Sequence, residues 1–271
     1  MRVLNYLHLL PHLILVFVIV LLLGINIVSA QTSTKFIDVQ ISTTTIQQAD
    51  TFLVKVFNET GPITGTLGGV KINFTKATNS NMWTAIVGVH VKKFPGTYKL
   101  RVNAKEKAQF TKNIYILKRR FPTTVLYINK DLRSKGYSPA TVAASSVNTS
   151  NPVLEYVSKN ISPKYFEGTF ISPLATTTVV GAYGSIRVSG KTSLQHLGVD
   201  LRAATDTPVF AINNGKVVFA KYLPNYGNTL VIDHGLGIYS FYLHLQSFNA
   251  SVGEMVKTGQ VVALSGNTGY S

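Results

Sequence analysis

The side chains in this sequence that are best suited to chemistry are histidines and carboxylates near its C-terminal end. Six histidines occur among 271 residues, and three of them, His196, His234 and His244, fall within the last 76. Cysteine is absent, which excludes thiol catalysis, disulfide bonds and cysteine-ligated zinc. Any metal ion must therefore be held by histidine and carboxylate ligands.

His196 and Asp200 could share one zinc ion only if the chain bends between them. Two ligands of one zinc each lie about 2 Å from the metal, whereas four residues of straight strand span roughly 13 Å. Gly198 lies between the two and can adopt backbone conformations that other residues avoid. On spacing alone, a surface histidine followed by a turn-capping aspartate remains the simpler interpretation.

An ordered series of motifs surrounds this pair and favours the zinc interpretation. In chain order the motifs are QHLGVDL (195–201), TPV (207–209), NGKVV (214–218), GNTLVIDHG (227–235), YLHL (242–245), VGEMV (252–256), GQVV (259–262) and SGNTG (265–269). This series resembles the lysostaphin/LytM-type family of zinc metalloendopeptidases, which cut peptide bonds in bacterial peptidoglycan. The resemblance covers residues 168–271 and implies an antiparallel β peptidase domain of LytM type, with Zn2+ as its cofactor.

The resemblance also implies a role for each matching residue. His196 and Asp200 match the first two zinc ligands of the family. His244, in the Tyr-x-His-Leu motif, matches an active-site histidine that is not a ligand and that positions the attacking water or stabilises the transition state. His234 lies in an Asp-His-Gly turn that is structural in the family, so it is left out of the predicted site.

Alternation along Ile238–Leu245 gives an independent expectation for His244. An alternating strand places His244 on the same face as Tyr242 and Ser240, where a half-buried histidine could face a cleft. A hydrogen-bonded structural histidine is the alternative reading of the same pattern.

The chain departs from the family at its end. The family's His-x-His motif, which supplies the third ligand and a second catalytic histidine, should follow Thr268-Gly269 but does not occur before Ser271. We therefore expect a peptidase domain that is incomplete at its C-terminus, and a 271-residue chain that is inactive by itself. One alternative is a non-catalytic LytM-like protein that binds cell wall or regulates a wall amidase. A lipoyl- or biotinyl-type carrier is disfavoured because Lys257 lacks the flanking motif of a carrier lysine.

The elements that must position these residues are predicted to be short strands, so the fold class is mainly β. Turn residues separate the C-terminal strand candidates, and neither a βαβ rhythm nor a phosphate-binding glycine loop is present. The candidates are Val209–Ile212, Lys216–Tyr222, Thr229–Asp233, Ile238–Leu245 and Gln260–Leu264.

Two further regions precede this domain. Residues 35–119 are predicted to form an N-terminal Ig-like β-sandwich that serves as a binding or spacing module. Its strand candidates are Phe52–Phe57, Val70–Phe74, Thr84–Val91 and Tyr98–Val102. Residues 120–167 are predicted to be a connector with short helices, one after Ser138-Pro139 and a second after Asn151-Pro152.

The first 30 residues indicate export. Arg2, an apolar run over Leu13–Leu23 and an end at Val28-Ser29-Ala30 predict a signal peptide, with an uncleaved membrane anchor as the alternative. We therefore expect the protein in the periplasm, in the cell wall or outside the cell, in contact with the membrane only if this segment stays attached. The formal net charge of +15 favours anionic partners. Outside the cytoplasm these are peptidoglycan and anionic cell-wall polymers rather than nucleic acid.

Overall fold

The computed structural model describes residues 36–77, 79–105, 107–125, 127–138, 157, 160–189 and 191–270. These residues are mostly β-strand, as the sequence predicts, with one short helix among them. The N-terminal segment 1–30 and the helices predicted after Ser138-Pro139 and Asn151-Pro152 lie outside the described residues. Among the residues that are described, no helix has the length and apolar composition needed to cross a bilayer.

Residues 36–117 form two β-sheets that face each other. Four strands make one sheet in the order β1-β3-β7-β6, and five make the other in the order β2-β9-β8-β4-β5. The strands are β1 (Asp38–Ile41), β2 (Thr45–Gln47), β3 (Thr51–Phe57), β4 (Thr64–Leu67), β5 (Val70–Ile72), β6 (Thr75–Lys76), β7 (Trp83–Gly88), β8 (Gly96–Asn103) and β9 (Phe110–Leu117). The Ig-like class of this sandwich remains a prediction.

Alternation of side chains along the strands creates the core of this sandwich. In β3, Phe52, Val54 and Val56 are buried while the residues between them are more exposed. They pack in one cluster with Leu100 and Ile114 of the opposite sheet. Each sheet therefore buries one face and leaves the other to solvent, as in other two-layer sandwiches.

A short connector follows. Strand β10 (Thr123–Val125) pairs in parallel with a strand of the C-terminal region, and helix α1 (Lys130–Ser134) comes next. The Asn129 side chain accepts a hydrogen bond from the Leu132 amide at 2.8 Å, which caps the first turn of α1.

The C-terminal region is built on a six-stranded antiparallel sheet in the order β15-β20-β18-β17-β16-β19. Its strands are β15 (Pro208–Phe210), β16 (Gly215–Leu223), β17 (Gly227–Gly235), β18 (Ile238–Phe248), β19 (Met255–Val256) and β20 (Val261–Ser265). Strand β17 is central and almost wholly buried, and Leu230 and Ile232 anchor the core there. Four short strands lie beside this sheet: β11 (Val179–Gly181), β12 (Ile186–Ser189), β13 (Thr192–Gln195) and β14 (Asp200–Leu201).

Candidate metal and catalytic site

The predicted ligand pair lies on the four short strands. His196 directly follows β13, which pairs with β12 as an antiparallel hairpin, and Asp200 begins β14, which pairs with β11. The chain bends between them, as a shared metal site requires. The predicted reason for the bend is wrong, because Gly198 does not have a left-handed backbone. A Cβ atom added at Gly198 would lie 3.6 Å from His196 Nε2, which is an ordinary van der Waals contact, so the ring does not require a glycine at this position.

His196 and Asp200 meet at a separation that suits two ligands of one ion. His196 Nε2 lies 3.2 Å from Asp200 Oδ1. Ligand bonds of about 2.0–2.2 Å in tetrahedral geometry place two donor atoms roughly 3.3–3.5 Å apart. An imidazole nitrogen and a carboxylate oxygen are also both ordinary zinc ligands. The donor types and their spacing therefore fit this metal.

The other ring nitrogen of His196 faces two competing partners. Nδ1 lies 3.1 Å from the Ala182 carbonyl oxygen and 3.2 Å from Arg187 Nη2. If Nδ1 carries the proton, it donates to the Ala182 carbonyl and leaves the Nε2 lone pair for a metal. If Nδ1 accepts from Arg187, Nε2 carries the proton and donates to Asp200 instead. The surroundings of His196 thus support two tautomers. The ring protonated at Nδ1 is suited to metal binding, and the ring protonated at Nε2 is suited to a hydrogen bond with Asp200 when no metal is bound.

Arg187, on β12, is a site residue that the sequence did not reveal. Its guanidinium forms an ion pair with Asp200 Oδ2, which leaves Oδ1 facing His196. Burial raises the pKa of Asp200, but the hydrogen bonds and electrostatic interactions with His196 and Arg187 outweigh burial, so the net pKa lies below its ordinary value. Arg187 is therefore placed to fix the carboxylate's orientation and keep it ionised.

His244 lies at a β-bulge rather than on a regular strand. The register of β17 with β18 shifts between the pairs Asn228–Leu245 and Leu230–Tyr242, and His244 has a left-handed backbone with φ of 58°. The predicted alternation is therefore wrong at this residue, because Leu245 joins Tyr242 in the core. Bulges commonly re-aim a side chain next to an active site.

The His244 ring is held by one hydrogen bond, and its pKa is affected by the charges of Asp200 and Arg187. Its Nδ1–H donates to the Thr268 carbonyl at 2.8 Å, and Nε2 has no hydrogen-bond partner among the described residues. Burial lowers the pKa of His244; the bond to Thr268 and the charge of Asp200 raise it in part, and Arg187 lowers it further. The ring is therefore neutral near pH 7, with the Nε2 lone pair available.

Residues 266–270 form a strap that holds this ring. Thr268 Oγ1 donates to the Leu245 carbonyl at 2.7 Å and accepts from the Asn228 amide at 3.0 Å. Gly227 and Gly269, both in the left-handed region, meet so closely that a Cβ on either would overlap the backbone of the other segment. The motif SGNTG (265–269) thus places the Thr268 carbonyl oxygen within hydrogen-bonding distance of His244 Nδ1.

Comparisons with known proteins identify the family of the domain that carries these residues. The family model described as Peptidase family M23 matches residues 194–271. The chain contains a peptidase M23 domain. Glycyl-glycine endopeptidase ALE-1 of Staphylococcus capitis is 44% identical to it over 79 residues, which are 28% of this chain and 22% of that protein. Murein hydrolase activator EnvC of Escherichia coli is 41% identical over 76 residues, covering 28% of this chain and 18% of EnvC.

The chain thus spans less than a quarter of the length of these curated relatives. One solved structure, described as a peptidase M23 from Pseudomonas aeruginosa, covers 81% of this chain and 82% of its own with a TM-score of 0.51. Its sequence identity is 20%, so the likeness concerns the fold alone. The predicted lysostaphin/LytM-type recognition is confirmed.

The surroundings of His234, in the M23 domain, fit a structural role rather than a role as a metal ligand. The ring is fully buried. Its Nδ1–H donates to the Asn214 carbonyl at 2.8 Å, and the Ser240 hydroxyl donates to Nε2 at 2.8 Å. Burial lowers the pKa of His234 and keeps the ring neutral. Both nitrogens are already used, so the ring has no lone pair for a metal.

A third metal ligand is not found within the described part of the M23 domain. No group of three or more His, Cys, Asp or Glu side chains that could hold an ion occurs among the described residues. His196 and Asp200 are brought together, and the charge of Asp200 acts on His244.

Proposed function

We propose that this protein is an exported zinc-dependent endopeptidase that hydrolyses peptide bonds in the stem peptides or cross-links of bacterial peptidoglycan. The observation that carries the proposal is the 3.2 Å spacing of His196 Nε2 and Asp200 Oδ1. It is supported by His244, whose Nδ1–H donates to the Thr268 carbonyl and leaves Nε2 available. The name of the relative ALE-1, a glycyl-glycine endopeptidase, supports a peptide substrate in the wall.

His196 and Asp200 would hold the metal, and Arg187 would keep Asp200 Oδ1 turned toward it. The chemistry that zinc supplies when bound is Lewis acidity, which polarises a scissile carbonyl and makes water nucleophilic near neutral pH. The Ala182 carbonyl, by accepting from Nδ1 of His196, would fix the tautomer with a free Nε2 lone pair.

His244 would handle a proton or a developing charge. With Nδ1–H donating to Thr268, its Nε2 can accept a hydrogen bond from an attacking water and take the proton. A ring fixed by the bulge and strap loses little freedom when substrate binds, which favours efficient proton transfer. Because the neutral form is maintained by burial, this role is available at pH 7.

The direct test is peptide release from purified peptidoglycan by the protein as its gene encodes it. We expect new amino termini in the soluble fraction, loss of release when a chelator removes zinc, and recovery when zinc is restored. His196→Ala should abolish release, while Lys257→Gln, an exposed lysine outside the site, should not. Unchanged release by His196→Ala would show that the ligand assignment is wrong.

A second candidate function is a non-catalytic regulator of a wall hydrolase. It is favoured by similarity to EnvC, a murein hydrolase activator. In the assay above, a regulator would release nothing alone but would accelerate a separately added wall amidase. His196→Ala would leave that acceleration intact.

A further inference from the structure

Positive charge is distributed unequally along the chain. Residues 36–119 contain twelve Lys and Arg against four Asp and Glu, a net charge of +8, whereas residues 168–271 contain six against four, a net charge of +2. The excess therefore belongs to the sandwich and not to the M23 domain. This location suggests that the charge serves binding rather than the reaction.

The strand register collects part of this charge on the outer face of the five-stranded sheet. Lys71 of β5 lies opposite Thr66 of β4, and Thr66 lies opposite Arg101 of β8. Lys99 is two residues from Arg101 on the same strand and so shares its face. The neighbours of these cations along each strand, such as Leu100 and Ile72, are buried in the core. We call Lys71, Lys99 and Arg101 the cationic face.

The described strands of this sheet carry no acidic side chain that could neutralise the cationic face. The other outward residues of β2, β4, β8 and β9 are Thr, Asn, Gln, Tyr and Leu, and none of the three cations has a carboxylate partner among the described residues. The outer face of the four-stranded sheet differs, because it carries both Lys55 and Asp38. A set of cations without carboxylate partners on a mostly polar sheet surface is complementary to an extended polyanion.

We propose that the cationic face binds a wall-linked polymer of polyol phosphate units, an inference that rests on the proposed cell-wall function. Arg101 and Lys99 are about 7 Å apart along the strand, and Arg101 and Lys71 about 10 Å apart across two strands. Single charges at such intervals suit a sparsely charged phosphodiester chain. Duplex nucleic acid, with a charge every ~1.7 Å, would leave most phosphates without a partner. Among the described strand residues on the outer side of this sheet, Tyr115 is the one aromatic side chain, so these strands offer no platform for stacking several bases.

Binding of the full chain to poly(glycerol phosphate) of defined length tests this inference. The face variant carries Lys71→Gln with Lys99→Gln, and the matched control carries Lys55→Gln with Lys76→Gln on the opposite sheet. We expect the face variant to lose about fivefold or more in affinity at about 50 mM salt. The slope of log K against log salt should fall by up to about 1.4, or about 0.7 per cation, as for single-stranded polyphosphates.

Equal losses in the two variants would overturn the proposal, because the attraction would then depend on net charge alone. Tighter binding of single-stranded DNA with the same number of charges, lost in the same face variant, would reassign the face to nucleic acid. Peptide release by the unsubstituted protein separates this inference from the proposed function. If that protein binds the polymer but releases no peptide, the endopeptidase proposal is overturned and the assignment of the cationic face stays supported.

Discussion

Arg187 offers the sharpest test of how the ligand pair is organised. We consider two substitutions, Arg187→Lys, which keeps the charge but loses the planar fork, and Arg187→Gln, which loses both. If the guanidinium orients Asp200, both variants should bind zinc more weakly. If it acts only as a nearby positive charge, the Lys variant should match the parent and the Gln variant should bind more tightly.

The expected losses of folding stability and of zinc affinity in the Arg187 variants follow from how exposed the Arg187 and Asp200 side chains are. Side-chain exposure is 24% for Arg187 and 46% for Asp200, so solvent screens the pair and its contribution to the free energy of unfolding should be about 0–1 kcal/mol. Partners that orient a metal ligand typically change metal affinity 10–100-fold. Because Asp200 is only half buried and is also restrained by β14, we expect the lower end, about tenfold or about 1.4 kcal/mol.

The assay is competition for zinc against a chromophoric chelator, together with thermal unfolding without metal. Both Arg187 variants should lose about tenfold in zinc affinity while the midpoint of unfolding falls by no more than about 4 °C. Arg202→Gln removes an exposed positive charge two residues from Asp200 and should change neither quantity appreciably. Parental affinity in Arg187→Lys combined with tighter binding in Arg187→Gln would refute the orienting role.

Three further predictions concern the rest of the site. His244→Ala should lower kcat of the gene-encoded protein by about 10²–10⁴-fold with zinc affinity unchanged; a parallel loss of zinc would instead make His244 a ligand. Gly181→Ala should weaken zinc binding, because a Cβ there would overlap the Asp200 carboxylate; unaltered binding would mean that β11 moves freely. Both His234 and His244 have pKa values below the ordinary 6.5, so the unfolded chain takes up protons first as pH falls. Stability should therefore be complete above about pH 6.5 and decline below it by up to about 1.4 kcal/mol per pH unit for each histidine. His244→Gln should flatten that decline in urea titrations, and a decline as steep as the parent's would exclude this ring as a cause.

The C-terminal strands could be predicted closely because they are long and apolar. Thr229–Asp233 lies within β17 and Lys216–Tyr222 within β16, whereas Gln260–Leu264 is shifted by one residue from β20. Strands β11 to β14 were not predicted, although they carry the ligand pair. They have two to four residues each and stand among Gly, Ser and Thr, so no periodicity is long enough to detect.

From the sequence, only those site residues could be predicted that belong to a recognisable motif. His196, Asp200 and His244 belong to such motifs, and their chemistry is evident from residue type. Arg187 reaches Asp200 through the β12–β13 hairpin, and an isolated arginine gives no sign of this contact. The bulge at His244 was also missed, because a β-bulge inserts a residue without altering composition, and alternation assumes that none is present. Whether the assigned residues act as proposed stays a prediction.

The burial of His234 makes it a natural spectroscopic reporter for the C-terminal sheet. Its Nδ1 proton is locked against the Asn214 carbonyl inside the protein, so exchange with water should require the sheet to open. Such a proton should give a separate, slowly exchanging NMR signal far downfield of the amides. Because His234 lies outside the metal pair, that signal would report whether a site variant is still folded, independently of zinc and of substrate.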